Sequence, residues 1–190
     1  MKYLMLVLCL VLTGCKTEKK PEPKIIAEKQ KNDQIGIDIS PSAMWKDYTE
    51  SNPRAENEQI PESDFFHNNR EDANRLAELT LKGKKKASSG LYRLYKQYNA
   101  DLPTVGAKQI ITDFDGKAKA IIKNVSVDTI PFNKISKEYA ELDMGTDIEP
   151  LKKWKKAHWD FFENFLKESD EKPTQEMLIV CVRFEKIWPK

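Results

Sequence analysis

The stretch Lys108–Ile130, "KQIITDFDGKAKAIIKNVSVDTI", decides the fold. Apolar residues recur in it with a period near two, in two runs, and Asp115-Gly116 stands between the runs. Alternation of this kind puts one face of a strand against a core, and Asp-Gly suits the tight turn between antiparallel neighbours. The stretch predicts a hairpin.

On both sides the spacing becomes helical. In "NNREDANRLAELTLKG" (68–83), Asn69 can cap a helix, Glu71 and Asp72 suit its positive end, and Ala73, Leu76, Ala77 and Thr80 line one face. Gly83 falls where the residue just past a helix is expected. A second long helix is predicted in "EPLKKWKKAHWDFFENFLKES" (149–169), with Pro150 in its first turn and Leu151, Trp154, His158, Phe161, Phe162 and Phe165 on one face. "SAMWKDYTESNP" reads as a short helix capped by Ser42 and stopped near Pro53, and "PFNKISKEYAELD" as another short helix. "EMLIVCVRFEKIW" reads as a long C-terminal strand. Helices before and between the strands of one small sheet give an α+β fold, expected to close as a small barrel.

Composition narrows the function classes. A formal net charge of +2 argues against a strongly electrostatic nucleic-acid binder. Three cysteines and two distant histidines supply no metal-ligand spacing, and no Gly-rich phosphate loop or nucleophile elbow occurs, so no metal or cofactor is expected. Cys181 lies in an apolar strand-like run and reads as a buried thiol. His158 reads as a structural histidine on an apolar helix face, and Lys84 and Lys86 as surface charges.

"MKYLMLVLCLVLTGC" (1–15) pairs a positive start with an apolar run too short to cross a bilayer. Its end, Leu12-Thr13-Gly14-Cys15, resembles a bacterial lipobox. That resemblance implies cleavage before Cys15, a lipid on its thiol, and a membrane as first partner. Residues 16–40 are rich in lysine and read as a disordered tether, leaving 41–190 as the folded domain. The expected location is the cell envelope, on the outer membrane rather than the inner where a cell has both. RNA is then not an expected partner, and no protein partner is legible.

One stretch remains, "LKGKKKASSGLY" (81–92). Gly83, Lys85 and Ser88 match the G-x-K-x-x-[ST] signature of the ASCH domain superfamily, which has a PUA-like fold. "VGAKQIITDFDGKAKAIIKNVSVDTIPF", "EYAELD", "LKKWKKAHWDFF" and "MLIVCVRFEKIW" follow in the order of a bacterial ASCH subgroup, so the chain resembles that family from Trp45 to Pro189. One branch of the family hydrolyses N4-acetylcytidine with a lysine, a hydroxyl residue and an acid. Carried over by position, these fall on Lys85, Ser88 and Asp143 as catalytic candidates, with Gly83 and Tyr92 as ligand-binding candidates. Two departures stand out: His67-Asn68 replaces a glycine-aspartate pair, and Val182 replaces a glutamate.

The resemblance therefore implies a pocket for a small polar, nucleobase-like ligand, with hydrolysis of an N-acylated nucleoside as its active-enzyme form. The alternative is a non-catalytic envelope module using the fold as a scaffold. One difficulty is local. In an extended segment Lys85 and Ser88 would point to opposite faces, so they share a pocket only if the backbone bends between them.

Overall fold

A computed structural model describes residues 40–167 and 169–190. Cys15, the signal-like segment and nearly all of the lysine-rich stretch lie outside the described residues.

Within the described residues, five α-helices and five strands run in the order α1 (Pro41–Ser51), β1 (Ser63–Asp64), α2 (Arg70–Leu81), β2 (Ala87–Leu91), α3 (Tyr92–Gln97), β3 (Lys108–Thr112), β4 (Ala118–Pro131), α4 (Lys137–Met144), α5 (Pro150–Lys167) and β5 (Leu178–Trp188). The strands form one sheet ordered β1-β3-β4-β5-β2. Of its pairings, β1–β3 is parallel and the rest are antiparallel. The mixed α+β class stands, but the barrel does not close. β1 and β2 end the order at opposite edges, and β1 is two residues long. Helix α2 covers the middle of the sheet, its Ala77 packing with Ile111, Ile122 and Phe184.

The predicted hairpin is β3–β4. Gly116 takes φ +78° in the turn, and the Asp113 carboxylate accepts backbone hydrogen bonds from Asp115 and Lys117, each at 3.0 Å. That carboxylate satisfies turn N–H groups at the end of the ladder. β4 then runs on for 14 residues and pairs with β5 through two irregularities, at Ile121/Ile122 and Asn124/Ser126. Each such bulge bends the strand, so one strand serves both halves of the sheet.

The cap of α1 differs from expectation. Ser40, not Ser42, accepts from the Ala43 N–H at 3.1 Å, because Pro41 occupies the first helical position. The sequence carries no clear signal for α3, which is six residues long and follows β2 directly.

The core has two main parts. Trp45 and Tyr48 of α1 pack on Ile110 and Ile121. On the other side Phe132, Tyr139, Trp154 and Phe162 pack with Ile179 and Cys181. Burial pushes the Cys181 thiol up to about 12, so it stays protonated at neutral pH. It is a core residue.

Candidate functional site

The site begins with how α2 ends. Gly83 takes φ +66°, the Gly83 N–H bonds to the Thr80 carbonyl at 2.9 Å, and the Lys84 N–H bonds to the Leu79 carbonyl at 2.9 Å. This pair of bonds is a Schellman stop, which a glycine permits without a Cβ penalty. The Lys85 N–H also reaches Leu79, at 3.1 Å, so the chain turns sharply before β2 begins. Lys86 is then held on both sides, its N–H on the Leu142 carbonyl and its carbonyl on the Phe184 N–H, each at 2.8 Å. As a result Lys84 and Lys86 face solvent while Lys85 is 4 % exposed.

Lys85 points at α4. Ser136 caps that helix by accepting from Tyr139 N–H at 3.1 Å, and Gly145 stops it at φ +63°. Tyr139, Ala140 and Asp143 form its buried face, at the three-and-four spacing of one helix side. The Lys85 ammonium forms an ion pair with Asp143 Oδ1 and donates to the Asp143 backbone carbonyl at 2.9 Å. It also sits 4.8 Å from the centre of the Phe66 ring, a cation–π distance.

The other carboxylate oxygen is equally engaged. Asp143 Oδ2 accepts from the Ser89 hydroxyl at 2.6 Å and from the Trp154 indole N–H at 2.9 Å. His158 Nε2 lies 3.4 Å from the same oxygen, while its Nδ1–H donates to the Trp154 carbonyl at 3.0 Å. The rings of Trp154 and His158 stack 4.3 Å apart, one turn along α5. Tyr139 gives its hydroxyl hydrogen to the Ser88 carbonyl at 2.6 Å, which fixes β2 against α4. No fully buried side-chain nitrogen or oxygen among the described residues lacks a partner.

The electrostatics follow from this geometry. Burial would push the Asp143 carboxyl up, but the Lys85 ammonium, then His158, outweigh it and hold it well below the usual carboxylate range. Tyr139 moves the other way. Burial first, and then the Asp143 charge, raise its phenol far above its ordinary value, so it stays a neutral donor. Two charges in a dry interior are tolerated because each has several partners.

Above the pair opens a cleft of about 620 Å³ of empty space, mouth included. Its polar lining includes Lys85, Ser88, Ser89, Asp143 and His158, and its apolar walls include Phe66, Leu76 and Phe161. At the mouth, His67 packs 4.6 Å from the Phe161 ring and accepts from the Asn69 amide at 2.9 Å. Burial moves its pKa down, so it is neutral at neutral pH. His67 takes φ +69°, a backbone region glycine enters freely, and the replaced pair of the resembling subgroup begins with glycine. Asp72 and Arg75, paired at 2.7 Å, complete the rim.

The structure thus brings Lys85, Ser88 and Asp143 to one cleft, and the helix stop supplies the bend that joint placement requires. Gly83 and Tyr92 lie elsewhere. Gly83 borders a surface depression with Lys84 and Lys86, and Tyr92 begins α3 beside Lys96. Gly83 acts on the site through backbone geometry alone. Ser88 itself makes no side-chain bond to Lys85 or Asp143; the hydroxyl that reaches the carboxylate belongs to Ser89. Sequence reasoning missed Ser89 and Trp154 as partners of Asp143, and Tyr139 as the residue that fixes β2 beside it. The adjacent serine and the polar tips of two core aromatics were the available signals.

The profile of the ASCH domain family matches residues 62–188. The chain belongs to that family. Among solved structures, it is similar to an ASCH domain from Lactobacillus crispatus JV V101, at 29% identity over 77% of this chain and 92% of the other, with a TM-score of 0.71. It is also similar to a protein from Enterococcus faecalis V583, at 28% identity over 77% of this chain and 86% of the other, with a TM-score of 0.68. No curated protein matches the chain. The ASCH assignment fits the geometry above, since the Lys85 signature and the Asp143 helix both lie inside the matched region.

Proposed function

We propose that this ASCH domain, tethered to a membrane through a lipid on Cys15, binds a small polar, nucleobase-like ligand in the Lys85–Asp143 cleft. One observation carries the reading: a closed ion pair forms the floor of a cleft whose lining includes the rings of Phe66 and Phe161. A flat ligand gains from stacking on such rings, and fixed polar groups at the floor select its edge. Lys85 has a third ammonium hydrogen to offer, and the Ser88 hydroxyl has no side-chain bond to break among the described residues.

Binding fits these groups better than hydrolysis of an N-acylated nucleoside. A serine nucleophile needs a base within reach. Ser89 has a carboxylate at 2.6 Å, but that carboxyl is held so far down that it is a weak base. Ser88 has no base bonded to it among the described residues. Calorimetric titration of the purified chain with cytidine and N4-acetylcytidine, with chromatography of the mixtures, tests both points. Saturable heat without release of cytidine from the acetylated compound is expected. Cytidine release would make the site a hydrolase, and absence of heat with either compound would return the fold to the role of an interaction scaffold.

A further inference from the structure

On the sheet side of Phe66 lies a second cleft, with about 500 Å³ of empty space including its mouth. Its chemistry differs from that of the ion-pair cleft, because no charged side chain among the described residues lines it. The floor is apolar and aromatic: Val182 and Phe184 of β5, with Phe66 stacked on Phe184 at 6.2 Å. Around this floor stand Gln109, Asn124, Tyr95 and Ser88, which carry two amides and two hydroxyls.

These four groups have unused hydrogen-bonding capacity. Asn124 donates from its nitrogen to the Thr104 carbonyl at 3.1 Å, and its oxygen accepts nothing from the described residues. The side chains of Gln109, Tyr95 and Ser88 have no hydrogen-bond partner among the described residues. All four residues are half-buried and line the cleft. Tyr95 is also held in place, since Gly90 leaves room for it: a Cβ there would lie 2.8 Å from the Tyr95 oxygen. Amides and hydroxyls each donate and accept, and an aromatic floor suits an apolar ring face.

We infer that this cleft is a binding site for an uncharged sugar ring, whose hydroxyls meet Gln109, Asn124, Tyr95 and Ser88 and whose C–H face lies on Phe66 and Phe184. Val182 belongs to this neutrality. A carboxylate at that position would face the cleft and bury a charge there. The site adjoins the cleft proposed for the Lys85 ligand and shares with it Phe66 and the two serines, so the Ser88 hydroxyl serves one ligand at a time.

Titrating the isotope-labelled full chain with D-ribose, D-glucose and N-acetyl-D-glucosamine, with ribose 5-phosphate beside them, tests the inference by NMR. Saturable shifts of the Gln109 and Asn124 side-chain NH₂ signals are expected with a neutral sugar. Tyr95→Phe and Gln109→Leu should each weaken that binding about tenfold, the loss of one neutral hydrogen bond. Both positions are half-buried, and an unchanged backbone spectrum will show that each variant folds. Gly90→Ala, which pushes Tyr95 aside, should weaken binding as well. No saturable shift with any neutral sugar, binding that both substitutions leave unchanged, or tighter binding of the phosphorylated sugar would each overturn it.

Discussion

The indole N–H of Trp154 donates to Asp143 Oδ2 at 2.9 Å, a bond from one helix of the core to another. The ring also packs on Phe132 at 5.1 Å, so it is at once a core residue and a site residue. Trp154→Phe keeps most of the packing and removes the donor. Loss of a bond to a charged group should cost about 1.5–3 kcal/mol. Urea unfolding reads this as a lower midpoint with an unchanged slope. A variant as stable as the parent would show that Ser89 and Lys85 suffice.

The ion pair should behave non-additively. Lys85→Met leaves a carboxylate that is 3 % exposed without its cation, which costs about 3–5 kcal/mol. Lys85→Met combined with Asp143→Asn removes both charges yet keeps an acceptor for Ser89 and Trp154. The double variant should recover more than half of the loss. Additive costs would mean that the two groups are not coupled in the fold.

Acid should reveal the same carboxyl. Its folded pKa lies below the ordinary 3.8, so its stabilisation is complete above that value and is lost as pH falls through and below it. Melting temperatures measured downward from neutral pH should fall more steeply for the parent than for Asp143→Asn, and the two curves should converge in strong acid. Parallel curves would exclude Asp143 as a source of the acid sensitivity.

The glycines that bracket the pair should differ. Gly83 takes φ +66°, and a Cβ added there would meet nothing within 4 Å. Gly83→Asn, a residue that tolerates this backbone, should therefore leave ligand binding within about twofold. Gly145 takes φ +63° with the Leu79 side chain at 3.3 Å and the backbone of Lys84 and Lys85 at 3.4 Å from the same added atom. Gly145→Ala should cost roughly 1–2 kcal/mol and disturb Lys85 directly. Equal effects of the two substitutions, measured by unfolding and by titration, would contradict this difference.

Local rules explain what could be read without coordinates. The cap at Asn69, the stop at Gly83 and the turn at Asp115-Gly116 depend on neighbours a few residues away, and each stands as expected. Lys85 and Asp143 were legible by family resemblance, although 58 residues separate them. Ser89 was not, because its contact depends on how β2 is pinned against α4 by the Tyr139 hydroxyl. The open edge of the sheet was illegible for a similar reason. Closure depends on the length and position of β1, and nothing in "ESDFF" marks a two-residue parallel strand.

The three consecutive lysines acquire a meaning from the helix stop described above. In the native alignment the middle one turns inward. A shift of the loop by one residue in either direction would turn Ser89 of β2 away from Asp143, so neither neighbour can take the place of Lys85. The address of the buried charge is thus written in the backbone bonds of the stop, and not in the abundance of lysine around it.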